Sequence, residues 1–183
     1  MISLQQIKDA IFDALAACFG LSADSAAAST LIHSAYTEPE NAPRPARSSN
    51  VVYFDLMAEA DSGDRGQSGT RAVSAGGLRE QFSVRLCYQL QVICYGPDAE
   101  GHARRIRSLL YLDGAGKPRS ILRKAGIFPI PDPPQPLLLH EQEGTLWRNR
   151  CDLTVSLRIA DTVEAPIPEA HSVPAVLLHT HVN

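Results

Sequence analysis

The sequence predicts an α+β domain: an antiparallel β-sheet with helices packed on one face, extended proline-rich loops and an extended C-terminal arm. Three observations carry that prediction. Residues 79–94 and 145–159 each alternate apolar and polar side chains over a length that only a long half-buried strand sustains. Between them, Ala99, Ala103, Ile106, Leu109 and Leu110 recur at helical spacing. A second helical pattern, Leu4, Ile7, Ile11, Leu15 and Cys18, opens the chain. Strands and helices in this order build a sheet covered on one side and partly open on the other.

The opening helix starts at a capping box, Ser3 with Gln6, and ends at Gly20. Residues 22–30 are small and polar, and either add a second helical turn or form a loop. An apolar stretch from Thr30 to Tyr36 reads as a short strand. Pro43 and Pro45 then exclude regular structure over 41–50 and impose a rigid, extended connection. Val51 to Ala58, rich in β-branched and aromatic residues, reads as a strand. Residues 61–77, with five glycines and few large apolar groups, read as a mobile hairpin loop.

In the long strand that follows, Phe82, Val84, Leu86, Tyr88, Leu90, Val92 and Cys94 face one way, with Arg79, Arg85, Gln89 and Gln91 opposite. Gly96-Pro97-Asp98 stops it, and Pro97 suits the first turn of the next helix. Residues 118–125 form a short further helix closed by Gly126. Five prolines make Ile127 to Pro136 an irregular, extended crossing. A hairpin follows, turning at Glu143-Gly144. Its second arm sets Trp147, Cys151, Leu153, Val155, Leu157 and Ile159 against Arg148, Arg150, Asp152, Thr154, Ser156 and Arg158. Beyond Ala160 the prolines predict an extended arm, so the chain divides into one domain over 1–160 and an arm over 161–183.

The 183 residues fit one domain. With 17 Lys+Arg against 20 Asp+Glu, a net charge of −3 argues against nucleic-acid or membrane-surface binding. No run of about 18 apolar residues occurs, and the charged, amphipathic N-terminus is unlike a signal peptide, so a soluble, cytoplasmically made protein is expected. Cys18, Cys87, Cys94 and Cys151 are scattered without a C-x-x-C pair and read as buried hydrophobes, indicating neither a zinc site nor a disulfide framework.

No chemistry-bearing motif outweighs a structural explanation. Gly63, Gly66 and Gly69 lack the strand-before, helix-after context of a phosphate loop. His179 and His181 would point to the same side in a strand, but they have no third ligand beside them and fall in the terminal arm, where a solvated tail is the better reading. The acidic residues Asp55, Glu59, Asp61 and Asp64 lack EF-hand spacing. A nucleophile built from Cys94 or Cys151 with His140 requires a lowered thiol pKa, which an apolar strand face opposes. No cofactor, metal or catalytic residue is expected. The arginines on the two long strands stand out as a group. Either they line a solvated sheet surface, or they form an assembly surface that pairs with carboxylates of a partner.

The order of elements, with a few local cues, resembles the tail terminator, or neck, proteins of long-tailed phages and prophages. The cues are the N-terminal helix and Asn41-Ala-Pro-Arg-Pro45 leading into the strand Val51 to Ala58. Val92-Ile-Cys-Tyr-Gly96 running into a helix at Asp98, Leu122 to Pro131, and the strand pair with Trp147, Arg150 and Leu153 complete them. The resemblance covers about residues 4–160. It implies a non-enzymatic virion protein, assembled in the bacterial host cytoplasm. Such a protein forms a homo-oligomeric ring, usually a hexamer, that caps the tail tube, ends its polymerisation and offers a surface for head joining. Its partners would be further copies of itself, the tail tube protein and a head-completion protein. Arg79, Arg85, Arg148 and Arg150 are then expected at the subunit or tube interface, and Asp64, Arg65 and Arg71 on a partner-facing loop. A head–tail completion or tail-tube protein is the near alternative, and a small cysteine hydrolase the distant one.

Overall fold

The computed structural model describes residues 2–35, 46, 48–59, 68–74, 77–112, 117–143 and 145–166. The elements in chain order are α1 (Leu4–Cys18), α2 (Ala26–Leu31), β1 (Ile32–Ser34), β2 (Val51–Ala58), β3 (Ser68–Ser74), β4 (Gly77–Tyr95), α3 (Ala99–Tyr111), α4 (Lys117–Lys124), β5 (Ile127–Pro129), β6 (Leu137–Glu143) and β7 (Leu146–Pro166). The α+β class is as expected.

Alternation explains the two long strands. β4 and β7 pair antiparallel from Arg79↔Pro166 to Tyr95↔Arg150. The register brings Leu90, Val92 and Cys94 opposite Val155, Leu153 and Cys151, all buried. Helices cover that face. Ile7, Ile11 and Leu15 of α1, Ala103, Ile106 and Leu110 of α3, and Leu122 of α4 join the strand residues in one apolar cluster. The capping box forms as read, with Ser3 Oγ accepting from the Gln6 amide and Gln6 Oε1 from the Ser3 amide. The Ile2 amide donates to the buried Asp161 carboxylate at 3.0 Å, which ties the start of α1 to β7.

The described strands form one sheet in the order β1-β2-β4-β7-β5, with β3 also pairing β4 and β6 also pairing β7. Several expectations need correction. Residues 68–74, expected within a mobile loop, form β3, and β4 already begins at Gly77. Their small residues give no apolar alternation, yet β3 pairs with β4 along its whole length, with Arg71 opposite Glu80. The sheet is not wholly antiparallel, because β1 runs parallel to β2. β1 is also shorter than the expected strand, since Ser25 caps α2 and the helix runs to Leu31. The irregular crossing contains a short strand, β5, and β7 continues in register to Pro166 rather than ending near Ala160. Most of the connection at 41–50 and residues 167–183 lie outside the described residues.

The turn from β4 into α3 depends on one glycine. Gly96 has φ +110, and a Cβ there would lie 2.6 Å from the Ser49 carbonyl oxygen and from Asn50 Oδ1. Asn50 cannot retreat freely, because its Oδ1 accepts from the Asp98 amide and its Nδ2 donates to Asp98 Oδ2, each at 3.0 Å. Gly96→Ala is expected to cost about 1–2 kcal/mol through strain and loss of this clamp, measured as a lower midpoint in urea unfolding.

Candidate assembly surface

The face of the sheet away from the helices carries the polar half of each alternating strand. Tyr95, the last residue of β4, is its hub. The Arg148 guanidinium lies 4.6 Å from the Tyr95 ring centroid and that of Arg150 5.8 Å. Tyr53 of β2 packs edge-on against Tyr95 at 6.1 Å, and His33 of β1 lies 5.5 Å from Tyr53. The Tyr95 hydroxyl donates to Glu141 Oε2 of β6 at 2.8 Å. Arg150 donates through Nε and Nη2 to the two oxygens of Asp152, each at 2.8 Å, and through Nη1 to Glu141 at 3.3 Å. Five strands thus contribute to one cluster.

Its electrostatics follow from these bonds. Burial, reinforced by donation to Glu141, pushes the Tyr95 phenol up to about 12. The same hydrogen bond, with help from Arg150, holds the Glu141 carboxyl below the ordinary 4.5. Because its folded pKa is depressed, Glu141 contributes stability above the unfolded value that is lost as the pH falls through the folded one. Glu141→Gln is therefore expected to flatten the fall in unfolding midpoint between about pH 5 and pH 3, relative to the unsubstituted chain. Pairing with Asp152 raises the Arg150 pKa, so its charge is fixed. Arg148 differs: its Nε and Nη2 are buried and have no hydrogen-bond partner among the described residues.

Two of the expected interface arginines, Arg148 and Arg150, meet here. Arg85 is exposed on β4 opposite Ala160, ten residues from Tyr95 and so about 33 Å along the strand. Arg79 occupies a register position still further out, opposite Pro166. The four therefore line a ribbon rather than one patch. Arg71 falls on β3, not on a loop, while Asp64 and Arg65 lie outside the described residues. Sequence reasoning missed Tyr95, Tyr53, His33, Glu141 and Asp152 as members of the cluster. The available signal was Tyr95 itself, which continues the polar phase of Gln89 and Gln91 one step past Cys94.

The arrangement offers recognition rather than covalent chemistry. None of the four cysteines is in a disulfide, and all are buried. Burial pushes the Cys18 thiol up to about 12 and raises those of Cys94 and Cys151, the opposite of what a thiolate nucleophile needs. No thiol is expected to react with a small disulfide probe in the native chain, and all four after denaturation; one fast native thiol would contradict this assignment. Among the described residues no helix is long and apolar enough to cross a membrane. A family model described as phage neck terminator protein matches residues 5–180, nearly the whole chain. Among curated proteins, none matches.

Proposed function

The chain belongs to the phage neck terminator family, whose role is structural, and from that premise we propose that it caps the tail tube as a closed homo-oligomeric ring. The ring, a hexamer by the family resemblance, ends tube polymerisation and presents a surface for the head-completion protein. The family match over residues 5–180 carries this reading. The physical support is a small protomer whose open sheet face holds an ordered set of charged and aromatic groups. Arg148, its guanidinium held over the Tyr95 ring, is only part-buried, and its charge can pair with a carboxylate supplied by a neighbouring molecule. Charge-assisted pairing of this kind sets register between subunits. The protein performs no catalysis and works in the neck of the virion.

The test is addition of the purified chain to polymerising tail tube protein. Substoichiometric amounts should shorten the tubes and leave one end bearing a ring in electron micrographs. Unchanged tube lengths with no bound ring would overturn the capping role, and incorporation along the tube would assign the chain to the tube itself.

A further inference from the structure

Resting on the ring reading, we infer that the outer edge of β6 in one copy pairs with the outer edge of β3 in the next, so that the sheets join from subunit to subunit. The outer side of β7 is covered first by β5 and then by β6. From Pro129 to Pro136 five prolines remove backbone donors, which blocks that edge against further strands. Arg107 Nε donates to the Pro134 carbonyl at 2.7 Å and pins the blocked segment to α3. The protection then stops. β6 presents seven proline-free residues, and no described strand lies beyond it. Its hairpin with β7 carries half of the exposed large apolar residues among those described, namely Leu137, Leu138, Leu146 and Trp147, with Trp147 66% exposed. An uncovered apolar edge of this kind templates strand addition.

Within the chain, β3 is the complementary edge. It also has seven residues, none of them proline, and no described strand on its outer side. Its one charged residue is Arg71, whereas β6 carries Glu141 and Glu143. Of the other uncovered edges among the described residues, that of β1 is only three residues long, and β2 beyond Phe54 is shorter than β3 and bears Asp55, with Glu59 directly following, so like charges oppose its pairing with β6. β3 lies on the β2 side of β4, whereas β6 lies beyond β7, at opposite ends of the β4–β7 ribbon. Contact between two such different edges is heterologous, which is the geometry that closes into rings.

Cysteines placed at His140 in β6 and on either side of Arg71, as His140→Cys with Thr70→Cys or with Ala72→Cys, test the pairing with a short bismaleimide. The native thiols are buried, so background is low. Crosslinking should give a covalent ladder that ends at the ring's full size, and His140→Cys alone should give none. A dimer from His140→Cys alone would show β6 pairing with itself and overturn the inference. Hydrogen exchange on the unsubstituted chain is the check that needs no variant: amides of 68–74 and 137–143 should slow together on assembly. A closed ring in native mass spectrometry without either result rejects this pairing and leaves the ring reading standing. A monomer at every concentration rejects both.

Discussion

Leu153→Ala is expected to lower stability by about 3 kcal/mol, within the roughly 2–5 kcal/mol range for emptying a buried leucine site. Leu153 is 1% exposed, opposite Val92 on the covered face and in the cluster that α1 and α3 complete. Truncation removes transfer energy and leaves a cavity between two sheet strands and a helix layer, where neighbours on paired strands have little room to collapse. For a chain of this size the loss corresponds to a melting temperature lower by roughly 6–12 °C. Leu146, seven residues earlier on the same strand, is 58% exposed. Leu146→Ala should leave the melting temperature of the isolated chain within about 1–2 °C. Equal losses at the two positions in calorimetry would contradict the placement of the core.

Arg150→Ala is expected to cost about 2–3 kcal/mol, mostly through what it leaves behind. The Arg150 and Asp152 side chains are 25% and 15% exposed, so removal of the guanidinium strands a largely buried carboxylate and frees Glu141 from one of its two partners. Arg150→Lys keeps the charge but not the two parallel hydrogen bonds, and should recover less than half of the loss. The Arg150→Ala/Asp152→Ala pair should cost less than the sum of the single changes, because the stranded carboxylate is gone. Strict additivity in a double-mutant cycle would show that the pair does not act as a unit.

Legibility in the sequence followed from how local each feature is. The Ser3–Gln6 capping box lies within one helical turn, and the alternation on β4 and β7 is a period-2 signal that needs no knowledge of partners. The covered face of both long strands could therefore be read directly. β3 could not, because Ser68, Gly69 and Thr70 carry no apolar stripe; it is a strand by virtue of the β4 edge beside it. β1 runs parallel to β2, and nothing within three residues reveals direction. The same limit applied to the open face. Arg148 and Arg150 were visible as polar positions, but register decides that Arg150 stands opposite Tyr95 while Arg79 stands opposite Pro166. The cluster around Tyr95 joins residues from β1, β2, β4, β6 and β7, which are far apart in the chain. Its members share no spacing that a linear pattern could expose.

The claim that organises these observations is that the protomer is built to close on copies of itself. Native mass spectrometry over a concentration series tests it most directly. The account predicts one discrete oligomer of fixed size, a hexamer by the family resemblance, that persists as concentration rises. A monomer throughout, or masses that grow without limit, would contradict it.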